Sequence, residues 1–227
     1  TPPPRGQAHA VELNLLCLHA QGVNPRSIRG EMVLRPSPEN LDKADKLLTE
    51  QGIGGPFVLI HPAARWPFKC WEDNKFADVV VHLLEKGLNV VLTCSPDPVE
   101  MATTAEIERL ARNRLGAASG KLGKLVNVGG KMSLPLLAAL LKLCKFYVGV
   151  DSAPMHMAAA LNVPQVALFG PSWVQEWRPW SDKATVIYAG DFGPLPHPDS
   201  INTDDPTRLL AAIPTEVVIQ SVDKLVD

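Results

Sequence analysis

A chain of 227 residues, 46% hydrophobic and 20% charged, can bury a sizeable core as one large domain, with or without appendages, and is not disordered. Acidic residues exceed basic ones by 24 to 22 and the isoelectric point is near 6.3, which argues against the clustered cationic surplus of a nucleic-acid-binding protein. No apolar run approaches the ~18 residues of a membrane span, and Thr1-Pro2-Pro3-Pro4-Arg5-Gly6 lacks the apolar stretch of a signal peptide. The first residue is not Met, and the chain reads as cut from something longer.

In chain order, Val11, Leu15, Leu16 and Leu18 have helical spacing, which predicts a helix over 8–20 that stops at Gly22. Residues 24–37 read as an irregular or strand-like connection. Ser37-Pro38-Glu39 is a cap followed by a first-turn proline, and its helix is expected to reach about Gln51. From there the pattern alternates. Strands are predicted over 57–60, 89–93, 125–128, 146–150 and 165–169, and helices over 73–86, 98–112, 133–143 and 154–161. Pro135 is tolerated in the first turn of its helix. After Gly170 the chain turns irregular and aromatic (Trp173, Trp177, Trp180). A last strand is expected over 184–188, then a loop rich in Pro and Asp, then a closing helix over 215–226. Strand and helix alternating through short links, with strands that lack polar alternation, describe an α/β fold: a doubly wound parallel sheet covered on both faces.

Cys17, Cys70, Cys94 and Cys144 form no CxxC pair. Zinc ribbons and thioredoxin-like sites need such pairs, so all four read as free thiols behaving as small buried hydrophobes in a reducing, cytoplasmic setting.

In an open parallel sheet, ligands sit beyond the carboxyl ends of the strands, and four strand ends here carry polar residues. Val150-Asp151-Ser152-Ala153-Pro154-Met155-His156 runs from a strand through a small-residue turn into a helix. The free first-turn amides and the helix dipole there make an anion site, usually for phosphate; the plainer reading is that Asp151 and Ser152 cap a structural helix. His61-Pro62-Ala63-Ala64-Arg65 with Lys69 sets two cations on one loop, which is what a diphosphate without a metal needs. They could equally be solvated, with His61 a satisfied strand-end residue and Trp71 a packing residue. Asp97 and Glu100 follow a strand and suit ribose hydroxyls, or serve as ordinary first-turn acids. Gly129-Gly130-Lys131-Met132-Ser133 lets backbone and Met132 approach a flat ring, although Met132 also suits the core. GxGxxG, GxxxxGK[ST] and GxSxG are all absent.

Together these segments resemble the lipopolysaccharide heptosyltransferases, the ADP-heptose-dependent glycosyltransferase family 9 of the GT-B class. The text that carries the resemblance is His61-Pro62-Ala63-Ala64-Arg65 with Lys69-Cys70-Trp71, Lys131-Met132-Ser133-Leu134, Asp151 through Ala160, and Val166-Ala167-Leu168-Phe169-Gly170-Pro171. Phe68-Lys69-Cys70-Trp71 and Ala212-Ile213-Pro214-Thr215-Glu216-Val217-Val218 look most like the branch that adds the third heptose. The resemblance implies a Rossmann-like, nucleotide-sugar-binding C-terminal lobe over 37–190. It also implies a tail of the acceptor lobe and a linker over 1–36, and a loop with a closing helix over 191–227.

It further implies that Lys69 and Arg65 neutralise the donor diphosphate and that Ser152, Ala153 and Pro154 present the helix N-terminus to it. Glu100, or else Asp97, holds the ribose, Met132 meets adenine, and Asp151 and His156 shape the pyrophosphate and heptose end. No metal or other cofactor is needed. The reaction is inverting transfer of heptose from ADP-heptose to the lipopolysaccharide inner core, peripheral to the inner face of the inner membrane. Its general base is expected on the acceptor lobe, so no catalytic residue is assigned in this chain, which alone binds donor and transfers nothing. Ala63-Ala64 departs from the hydroxyl residues that several relatives carry there. The alternatives are a nucleotide-sugar-binding module that is not an enzyme, an epimerase lobe acting on a UDP-sugar, and a hydrolase.

Overall fold

Local sequence chemistry sets most element ends in the computed structural model, which describes residues 3–24, 30–116 and 122–226. His9 caps α1 (Ala10–Leu15) in a reciprocal box with Glu12, and the chain then tightens into a 3-10 turn over Leu16–Gln21. The helix expected over 8–20 is thus two short pieces, followed by Gly22 at φ +75°. Residues 24 and 30–37 carry no regular element, and 25–29 lie outside the described residues. Ser37 accepts a hydrogen bond from the Asn40 amide at 3.3 Å and opens α2 (Pro38–Glu50).

The alternating region then runs β1 (Phe57–His61), α3 (Asp73–Glu85), β2 (Asn89–Leu92), α4 (Pro98–Leu115), β3 (Leu125–Asn127), α5 (Leu134–Leu143), β4 (Phe146–Val150), α6 (Ala153–Ala160) and β5 (Gln165–Phe169). Asp97 caps α4 and Ser133 caps α5, each with a proline in the first turn. α4 runs three residues beyond the expected Arg112, to Gly116 at φ +37°. The segment after Gly170, read as irregular, holds the short α7 (Val174–Trp177) before β6 (Ala184–Tyr188), and α8 (Thr215–Val226) closes the chain.

All six strands are parallel, in the order β3-β2-β1-β4-β5-β6. β1, β4 and β5 are buried along their whole length, as strands covered on both faces must be. Val58, Ile60 and Val148 face one layer, made by α3, α4 and α8, while Leu59, Tyr147 and Ala167 face the other, made by α2, α5 and α6. α8, whose apolar positions needed a partner, finds it along α3. Val218 and Val222 are buried there, and Asp223 meets His82 at 2.7 Å and Lys86 at 3.1 Å. Near the other terminus, the His9 ring packs on Trp180 and its Nε2 meets the Arg178 carbonyl at 2.7 Å, tying α1 to the segment after β5. Cys70, Cys94 and Cys144 are buried free thiols as expected. Cys17 is not: it lies on the surface in the 3-10 turn after α1, its Sγ donating to the Asn14 carbonyl.

At the centre of the sheet, His61 of β1 stands in register with Gly149 of β4. The Tyr147 side chain folds over Gly149, so a Cβ there would stand 2.1 Å from Tyr147 Oη and 2.8 Å from the His61 carbonyl oxygen. Gly149→Ala is therefore expected to destabilise the fold by about 1–3 kcal/mol through overpacking, measured by urea unfolding. His61 is buried, and its Nδ1 shares a 3.0 Å hydrogen bond with Thr93 Oγ1 of the loop after β2. Burial lowers its pKa from 6.5 to about 4. Between those values the unfolded chain binds the proton that the folded chain refuses, so this residue makes stability fall as pH drops from 6.5 towards 4. His61→Gln is expected to flatten that part of a stability-against-pH curve.

Candidate nucleotide-sugar site

The loops leaving β1, β2 and β4 at their carboxyl ends enclose a cavity of about 350 Å3, within the range of ligand pockets. It lies where this topology leaves a crevice, because the strand order reverses between β1 and β4.

One end is charged. Asp151 follows β4 and is only 4% exposed; Lys69 Nζ stands 2.6 Å from its Oδ2, and Ser172 Oγ donates to the same oxygen at 2.7 Å. Lys69 is delivered by a 3-10 turn over Pro67–Lys69, and that turn is anchored by the fully buried Trp71, whose Nε1 donates to the Ile213 carbonyl. Trp71 is a packing residue. Ser152, Ala153 and Pro154 line the cavity at the start of α6. No side chain caps this helix, because the Ser152 hydroxyl turns back to the Val150 carbonyl at 3.2 Å. The uncapped N-terminus adds its partial positive charge beside Lys69. Ala63, Ala64 and Arg65 complete this wall; Arg65 is exposed and makes no ion pair among the described residues.

The opposite end is more apolar. Cys94, Ser95 and Pro96 follow β2, and Met132, Leu134 and Leu137 face them. Glu100 is the acid here: 8% exposed, it accepts from the Ser95 amide at 3.1 Å through Oε2. Burial pushes the Cys94 thiol pKa up, which keeps it protonated and unreactive.

Two expected residues stand apart. Asp97 spends its carboxylate on the amides of Val99 and Glu100, at 2.9 and 3.2 Å, and lines a separate space of about 60 Å3 behind the Ala63–Arg65 loop. In this structure Asp97 serves as the cap of α4, and of the two ribose candidates Glu100 is the one that lines the main cavity. His156 sits within the first turn of α6 and is not in the lining. Desolvation lowers its pKa against the opposing charge of Asp151. No sequence motif marks Ser172, although it stands three residues beyond the end of β5, where strand-end residues meet ligands. Nor does one mark Trp66, beside Arg65. Among the described residues, no three His, Cys, Asp or Glu side chains cluster to hold a metal ion.

Over residues 3–205 the chain matches the profile of glycosyltransferase family 9 (heptosyltransferase). Lipopolysaccharide heptosyltransferase 3 of Escherichia coli is 35% identical over 222 residues, 98% of this chain and 62% of that protein. Its counterpart from strain K12 is 32% identical over 217 residues, 96% and 59% of the two chains. Among solved structures, the glycosyl transferase family 9 protein of Veillonella parvula DSM 2008 shares the fold, with a TM-score of 0.76 at 22% identity over 99% of this chain and 62% of that one. E. coli ADP-heptose LPS heptosyltransferase II gives 0.68 at 25% identity over 91% and 56%. The chain therefore spans less than two thirds of the length of these relatives. The expected Rossmann-like, doubly wound lobe of GT-B type is the fold observed. The chain belongs to glycosyltransferase family 9, the heptosyltransferases.

Proposed function

We propose that this chain is the donor-binding lobe of an enzyme that transfers heptose, with inversion, from ADP-heptose to the lipopolysaccharide inner core. The observation that carries the reading is the charged end of the cavity, where Lys69 and the uncapped start of α6 converge beside Arg65. A diphosphate seated there gains charge as the sugar departs, and preorganised cations and amides stabilise that developing charge most strongly in the transition state. These groups supply the neutralisation that a metal ion gives elsewhere, so donor binding needs no cofactor in this reading. Ribose falls to Glu100 and the base to Met132, across the ends of β1 and β2 from the phosphates. Asp151 shapes the pyrophosphate and sugar end.

Residues 37–190 bind the nucleotide-sugar in this reading. Residues 1–36, of which 1–2 and 25–29 lie outside the described set, belong to the tail of the acceptor lobe and its linker, and 191–227 close the domain. The general base and the acceptor site belong to that other lobe. Attachment of the third heptose is supported by the two relatives that carry the name heptosyltransferase 3. The lipid acceptor implies work at the inner face of the cytoplasmic membrane; among the described residues no helix is long and apolar enough to cross one.

Calorimetric titration of the chain with ADP and UDP tests the reading. Saturable ADP binding, weakened about tenfold or more by Lys69→Ala and by Arg65→Ala, with UDP much poorer, is the expected result. Arg65→Ala is the cleaner of the two, since it leaves no buried carboxylate without its partner. Absence of ADP binding at millimolar concentration overturns the reading, and preference for UDP moves it to a UDP-sugar enzyme.

A further inference from the structure

Trp66 is the tryptophan that lines the cavity, and it is 39% exposed at the mouth. Trp71, Trp173 and Trp180 each donate their indole N–H to a protein oxygen, whereas Nε1 of Trp66 makes no hydrogen bond among the described residues; Trp177 shares that freedom but lies outside the cavity lining. The ring is not loose. Phe68 stacks beside it with centroids 6.0 Å apart and planes 17° from parallel, and Lys69 Nζ lies 5.2 Å from its centroid. A large aromatic held rigid, with part of its surface and its one donor open at a polar cavity, has the form of a binding platform.

Its position says for which part of a ligand. Lys69 links Trp66 to Asp151, so the ring stands at the β4 end, while Glu100 and Met132 stand at the β2 and β3 end. A nucleotide-sugar with its base near Met132 and its diphosphate at Lys69 and α6 directs the sugar past the phosphates, towards Trp66. A pyranose presents apolar C–H faces and a rim of hydroxyls. The exposed part of the indole suits the first and its N–H one of the second. Asp151 is engaged by both Lys69 and Ser172 through Oδ2, which leaves Oδ1 to accept from another hydroxyl.

We propose that Trp66 is the platform on which the sugar of the nucleotide-sugar rests, and that it sets preference for the sugar rather than for the nucleotide. This rests on the donor-lobe reading above, and the experiment separates the two. The wild-type chain, Trp66→Leu and Trp66→Phe are titrated calorimetrically with ADP and with ADP-heptose, each variant first checked by urea unfolding. Trp66→Leu is expected to weaken ADP-heptose binding about tenfold more than it weakens ADP binding, and Trp66→Phe to recover part of that difference. Equal weakening for both ligands, or for neither, overturns the platform while wild-type ADP binding keeps the donor-lobe reading standing. Failure of the wild type to bind ADP overturns both.

Discussion

The parallel pairing of β1 with β4 is the constraint on which the site depends. These strands are far apart in the chain, and their alignment closes a long crossover whose entropy must be offset by burial on both faces of the sheet. The register from Val58↔Phe146 to His61↔Gly149 sets the two loops side by side. One brings Lys69 and the other brings Asp151, and their 2.6 Å contact follows from the pairing. The same pairing reverses the order of the sheet and opens the crevice in which both stand.

A carboxylate as buried as Asp151 is tolerated only when it is paired and hydrogen-bonded. Lys69 supplies the charge and Ser172 the hydrogen bond, the latter arriving from the loop after β5. Completion of the site thus also requires β5 to lie against β4. In the proposed reading, an incoming phosphate shares Lys69 with Asp151. The uncapped start of α6 offers a second, fixed source of positive potential there, which depends on no ion pair.

The C-terminal segment holds this arrangement from behind. Trp71, two residues after Lys69, is buried edge-on to Phe76 and bonded to the Ile213 carbonyl, while Arg208 bonds Asp73 and the Trp71 carbonyl. α8 is in turn pinned along α3 by Val218, Val222 and the His82–Asp223 contact. The loop that carries the cation is therefore clamped between α3 and the end of the chain, and its position does not rest on the ion pair alone.

Most of the fold was legible in the residues because its signals are local. Unbroken apolar runs mark strands buried on both faces, and Ser37, Asp97 and Ser133 ahead of prolines mark helix starts. Lys69, Arg65, Glu100, Met132 and the Asp151–Pro154 turn were legible as strand-end chemistry, and the cavity gathers them. The sequence by itself could not decide between capping and ligand contact at Asp97, which depends on where the carboxylate turns. Nor could it place His156 off the lining, break the first helix into α and 3-10 pieces, or bury α8 along α3. Ser172 and Trp66 gain their meaning only from the neighbours that β4–β5 and β1–β4 adjacency provides. Caps and periodicity act within about four residues along the chain. Which side chains share a cavity is set by strand order and packing between segments remote in sequence, and that only the tertiary structure decides.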